Sequence, residues 1–196
     1  MQKSKSRIKT NLILASASPR RARLLRQLGF KFTVFPSEVR EKRKIKTTCA
    51  ALVRENALNK ARAIARKFGK GIVIGADTVV LVKNRVIGKP RNYSQAREFL
   101  KLFSWYPHSV YTGLAIIDAE SGRYWTEYEK TRVIFHKLSE QEIDMFLSRS
   151  MSLDRAGGID IEGKARKLVK EIRGDYYNVV GLPLRKLECL LRKIKS

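Results

Sequence analysis

The chain has 196 residues, 43% of them hydrophobic, enough for one well-packed domain. Forty-two Lys and Arg against 18 Asp and Glu give a charge of +24, which favours polyanions such as nucleotides, nucleic acid or acidic lipid. Cys49 and Cys189 stand alone, which excludes a disulfide framework or cysteine zinc site, and no apolar run is long enough to span a bilayer.

The excess charge is dispersed over residues 1–10, 40–46, 60–70, 164–173 and 185–195, the pattern of a solvated surface rather than of one binding face. The basic segment 1–10 is not followed by an apolar stretch of secretory length, so a cytoplasmic protein with reduced thiols and no membrane partner is expected. Without repeats or low-complexity linkers, 11–196 reads as a single domain behind the extension 1–10.

In chain order, a first strand over 11–15 runs into Ser16-Ala17-Ser18-Pro19-Arg20-Arg21 and a helix over 19–28. Proline suits the first helical position, where its missing N–H would be unpaired. That corner offers hydroxyls, guanidiniums and the positive end of a helix dipole, a combination that suits phosphate. A plain Ser18 N-cap beside solvated arginines is the competing reading. A strand over 31–35 ends at Ser37-Glu38, and a carboxylate there can serve as a magnesium ligand or as a solvated turn residue. Residues 48–67 form a helix whose stripe is Ala50, Val53, Ala57, Ala61, Ile64 and Phe68, with Gly69 as terminator. Lys60 lies on the flank of that stripe, where its ammonium can reach a cleft.

The strand over 72–82 carries Asp77 between apolar residues, and a buried carboxylate there needs a cation, hydrogen-bond donors or a metal. Local N–H groups at a bulge are the alternative. Lys83-Asn84 turns the chain into a short strand, 86–87, and Gly88-Lys89-Pro90 follows, with Pro90 holding Lys89 extended. A helix over 94–102, strands over 110–118 and 124–135 joined by a turn at 120–123, and a helix over 140–147 come next. Beyond a glycine-punctuated acidic loop at 154–163, a strand over 165–172, a loop at 174–183 and a helix over 183–194 complete the chain. Helices interleaved with strands and hairpins argue α/β with a mixed sheet.

Several chemistries are absent. There is no P-loop, no G-x-G-x-x-G and no G-x-S-x-G, and neither His108 nor His136 has metal-ligand spacing. What is left is a cleft of acids lined by Lys and Arg, which suits metal-assisted attack on a phosphate.

Ser16–Arg21, Ser37-Glu38, Lys60-Ala61, Gly75–Thr78, Gly88–Pro90, Asp154–Gly157 and Asn178–Pro183 follow the order of motifs in the Maf family, which the chain closely resembles from Asn11 to the last helix. The resemblance implies an elongated mixed β-sheet flanked by helices, with two lobes around a central cleft, as in the inosine triphosphatase group. It implies a nucleoside triphosphate pyrophosphatase, releasing a nucleoside monophosphate and pyrophosphate with Mg2+ or Mn2+ as cofactor. By the same resemblance Asp77 is the general base, Glu38 and Asp77 are metal ligands, and Lys60 and Lys89 are catalytic cations. Ser16, Ser18, Arg20 and Arg21 form the phosphate corner.

Three positions mark base specificity in that family. Arg20 and Thr78 resemble the dTTP/UTP branch, and Glu162 resembles the 7-methyl-GTP branch. Two positions of three favour dTTP/UTP, while the segment 103–115 resembles the 7-methyl-GTP branch and Ile159 and Asp160 replace the aromatic and small residues of the dTTP/UTP pattern. A homodimer is a further expectation. A basic nucleic-acid-binding protein and a septum-regulating protein are the competing function classes, and the first lacks an aromatic-plus-basic recognition motif.

Overall fold

The computed structural model describes residues 11–43, 48–150 and 156–194, so the basic segment 1–10 and Asp154 and Arg155 of the glycine-punctuated loop lie outside the described residues. The first half of the chain runs β1 (Leu12–Leu14), α1 (Pro19–Gln27), β2 (Thr33–Val34), α2 (Cys49–Phe68), β3 (Ile72–Val82) and β4 (Arg85–Ile87). The second half runs α3 (Tyr93–Trp105), β5 (His108–Asp118), β6 (Tyr124–Phe135), α4 (Glu140–Ser150), β7 (Val169–Arg173), α5 (Tyr176–Val180) and α6 (Leu184–Lys193). The strands form one sheet in the order β2-β1-β3-β5-β6-β7, with β4 also on β3. β1 lies parallel to β2 and β3, and every other pairing is antiparallel, so the sheet is mixed as expected.

β3 is the spine. One edge pairs with β5 from Ile72 to Leu81. The other edge pairs with β1 at Ile72–Ile74 and with β4 at Val80–Val82, which leaves 75–79 between them without a strand partner among the described residues. Asp77 and Thr78 sit in that gap. The gap is framed by the chain leaving β1 at Ser16 and the chain leaving β4 at Lys89.

Alternation along β3 sends its two faces to different helices. Val73 and Val79 pack on one face under α2, with Ala57 and Ala61 in the first cluster and Leu52 and Val53 in the second. The approach of α2 is close because Gly75 and Gly113 lack side chains. A Cβ at either position would stand 2.1 Å from a carbonyl oxygen of α2, Ala57 for Gly75 and Val53 for Gly113. On the other face Ile72, Ile74 and Ala76 pack with α1 and α6, through Leu24, Leu25, Leu187 and Leu190. Val80 and Val82 on that same face pack instead with Phe99, Leu100, Phe103, Ile143 and Leu147 of α3 and α4. Thr78 falls between these two apolar clusters, and the cleft opens there.

Local chemistry sets the element ends. Thr48 caps α2 by accepting from Ala51 N at 3.1 Å, and Gly69 closes it in the left-handed conformation at φ 66°. Lys83 and Asn84 adopt φ of 46° and 60°, the two-residue hairpin turn that matches strand twist. The strand expected over 165–172 is corrected: a 3₁₀ turn takes Lys164–Leu168, and the strand begins at Val169. Ala165 and Leu168 are three residues apart, so the turn's three-residue period places both inward, an alternative that alternation alone cannot distinguish. The loop at 174–183 contains α5, capped by the Asp175 side chain on Tyr177 N at 2.8 Å. None of the helices among the described residues is long and apolar enough to cross a membrane.

Candidate active site

A cleft of about 670 Å³ opens over the unpaired edge of β3, a size suited to a small-molecule ligand. Its walls bring together Ser16, Ser18, Arg20, Arg21, Lys60, Asp77, Thr78 and Lys89, eight residues singled out from the sequence. They come from β1's exit, α1, α2, β3 and the strand-end after β4.

Asp77 is 3% exposed and Lys60 is 7% exposed, so both charges must be matched internally. Lys60 Nζ donates to Asp77 Oδ1 at 2.7 Å and to Glu41 Oε1 at 2.7 Å. Asn56, one turn earlier on α2, donates to Asp77 Oδ2 at 2.8 Å. Its orientation is fixed by the Lys42 backbone: Oδ1 accepts from Lys42 N at 2.9 Å and Nδ2 donates to Lys42 O at 3.0 Å. The amide nitrogen can therefore only face Asp77. Burial would push the Glu41 carboxyl up, but the hydrogen bond and charge of Lys60, together with Arg43, hold it below its ordinary value.

Arg21 acts as a clasp. Nε donates to Gly181 O at 2.8 Å, Nη1 to Ser16 Oγ at 3.1 Å and Nη2 to Thr78 Oγ1 at 2.9 Å. Burial lowers its pKa, while the charges of Asp77 and Glu41 oppose that and Arg20 adds to it. Arg20 lines the cleft and makes no hydrogen bond among the described residues, so its guanidinium is available to a ligand. Thr78 Oγ1 also bonds Thr112 Oγ1 at 2.9 Å, and Thr112 donates to Asn178 O at 3.1 Å. Asn178 in turn donates to Val110 O and Thr131 Oγ1, so α5 is pinned to the sheet beneath the cleft.

Two expected residues stand elsewhere. Glu38 is exposed and does not line the cleft; Glu41, three residues on, is the acid that reaches Lys60. Glu162 pairs with Arg23 and stays outside the cleft wall, to which Asp160 and Ile161 contribute. Glu41 and Asn56 were missed. Glu41 sits in a segment without helix or strand, which offers no period to read. Asn56 carried a signal, a polar residue on the face of α2 that buries Val53, Ala57 and Lys60.

A divalent ion can be tested against this donor set. Among the described residues no group of three or more His, Cys, Asp or Glu could hold a metal. Two carboxylates, Asp77 and Glu41, do converge on one ammonium at 2.7 Å each. Hard oxygens in that number fit magnesium, which takes few protein ligands and keeps waters.

The Maf-like protein family model matches residues 11–194. The chain belongs to the Maf family. Among curated Maf-family relatives, the dTTP/UTP pyrophosphatase of Alkaliphilus oremlandii is 43% identical over 92% of this chain and 94% of its own length. The dTTP/UTP pyrophosphatase of Bacillus anthracis is 44% identical over 94% of each chain. The Ham1 protein of Staphylococcus aureus superposes with a TM-score of 0.54 at 12% identity, over 94% of this chain and 99% of that one. That last likeness concerns the fold, a mixed sheet flanked by helices, which this Maf chain shares.

Proposed function

We propose that the cleft hydrolyses a nucleoside triphosphate at the α-phosphorus, giving a nucleoside monophosphate and pyrophosphate, with dTTP and UTP as substrates. The observation that carries this reading is Asp77, a buried carboxylate at the unpaired edge of β3, held by Lys60 and Asn56 in a cleft lined by Arg20 and Lys89.

Each carboxylate oxygen of Asp77 has a second lone pair beyond its bond to Lys60 or Asn56. Asp77 can therefore take a proton from a water placed in line with the α-phosphorus. The water oxygen forms a bond to phosphorus, the bond from phosphorus to the bridging oxygen breaks, and pyrophosphate departs with that electron pair. Lys60, Lys89 and Arg20 counter the charge on the phosphates, which is worth more in a partly dry cleft than in water. Asp77 and Glu41 would hold a Mg2+ or Mn2+ ion, which would supply charge neutralisation at the phosphates.

For the base, Arg20 and Thr78 face the cleft whereas Glu162 is engaged by Arg23 outside it. The engagement of Glu162, the one of the three marker positions that pointed to 7-methyl-GTP, by Arg23 supports this reading, as do relatives named as dTTP/UTP pyrophosphatases. The test is pyrophosphate release across dTTP, UTP, other standard triphosphates and 7-methyl-GTP, with Mg2+ and with Mn2+. The highest kcat/KM is expected for dTTP and UTP, and Asp77→Asn is expected to bind them without turnover. Orthophosphate as the first product, or full turnover by Asp77→Asn, overturns the reading.

A further inference from the structure

Beside the cleft lies a second cavity of about 360 Å³, lined by Arg43, Arg85, Lys89, Arg91 and Gln95 among others. Four cations thus face one space, and no Asp or Glu among the described residues lines it. Arg43 pairs with Glu41, but the side chains of Arg85, Lys89 and Arg91 form no hydrogen bond or ion pair among the described residues. Two of the four, Arg43 and Lys89, line the main cleft as well, so the two spaces share a wall.

Like charges brought to one cavity repel, and a site that concentrates them without acids is matched to an anion. Guanidiniums suit phosphate oxygens because their planar forks can donate two hydrogen bonds at once. Lys89 points the way in. It lines both spaces, so an anion held in the cleft can pass to the second cavity along its ammonium.

We propose that Arg43, Arg85, Lys89 and Arg91 form a second anion site that receives a short inorganic phosphate chain, pyrophosphate above all, as it leaves the cleft. The naming of pyrophosphate rests on the proposed function of the cleft; the anion site itself does not. Its consequence is product retention: pyrophosphate holds on beside the cleft and competes with the next triphosphate through the shared Lys89.

The test uses the full chain and inorganic pyrophosphate as probe, with binding followed by calorimetry at fixed ionic strength. Arg85→Ser/Arg91→Ser changes only exposed residues outside the catalytic set. Arg66→Ser/Lys70→Ser, at and just beyond the far end of α2, removes the same charge from a surface lining neither cavity. The first double variant is expected to weaken pyrophosphate binding by about tenfold, and the second by less than about twofold, at unchanged melting temperature. Equal weakening in both variants means bulk charge alone, and overturns the proposal, as does a wild-type chain that does not bind pyrophosphate. Triphosphate turnover by the same proteins separates the two readings: arginine-dependent pyrophosphate binding without turnover leaves the anion site standing and the proposed function fallen.

Discussion

His108 converts a buried position into a measurable pH dependence. It is 5% exposed at the start of β5, with ring centroids 4.4 Å from Phe103 and 5.1 Å from Phe135, and its Nδ1 has no partner among the described residues. Burial lowers its pKa from 6.5 to about 4, against the opposing effect of the Tyr106 backbone. Between those two values the unfolded chain takes up a proton that the folded one refuses, so stability falls as pH falls. The interval is worth about 3 kcal/mol when complete, and about 2 kcal/mol at pH 5. His108→Phe keeps an aromatic ring among aromatic rings and removes the titrating group. Urea unfolding at pH 7.5 and pH 5 should show the wild type losing ~2 kcal/mol more than the variant between the two conditions. Equal losses would refute the assignment of a neutral, buried imidazole.

Three other substitutions probe the cleft and its support. Asn56→Leu removes the donor on Asp77 Oδ2 and both bonds to Lys42; kcat should fall about ten- to hundredfold with little change in KM, and an unaltered kcat would deny Asn56 its positioning role. Lys60→Met leaves two carboxylates facing each other, and chemical denaturation at pH 7 should register a loss of about 3 kcal/mol. Because Lys60 holds Glu41 below its ordinary value, the wild type loses that stabilisation as pH falls through the carboxylate range, so the gap to the variant should narrow in acid. Gly113→Ala drives a Cβ into Val53 O at 2.1 Å; a displaced α2 should lower stability by about 3 kcal/mol and reduce turnover together, whereas a wild-type melting curve would show that the helix can yield.

Much of the site was legible in the sequence because it hangs on punctuated elements. Pro19 marks where α1 begins, the Asp inside an apolar run marks β3, and Pro90 marks the strand-end that carries Lys89. Those signals are local, and each survived folding. What was not legible is long-range or aperiodic. Glu41 rather than Glu38 reaches Lys60 because the segment after β2 has no helix or strand to fix which side chains face inward. The roles of Arg21 and Glu162 were set by partners 57 to 160 residues away, Thr78 and Gly181 for the first and Arg23 for the second. The five-residue α5 was hidden in a loop because one turn of helix shows no amphipathic period. The unpaired edge of β3, on which the whole cleft depends, follows from β1 and β4 being three residues each, a length that alternation cannot define.

The central claim is that water attacks the α-phosphorus under the charge of Asp77. Turnover of UTP in water labelled with heavy oxygen, with products weighed by mass spectrometry, tests it directly. The account predicts one labelled oxygen in the nucleoside monophosphate and unlabelled pyrophosphate. Label in orthophosphate, with nucleoside diphosphate as the other product, would contradict it.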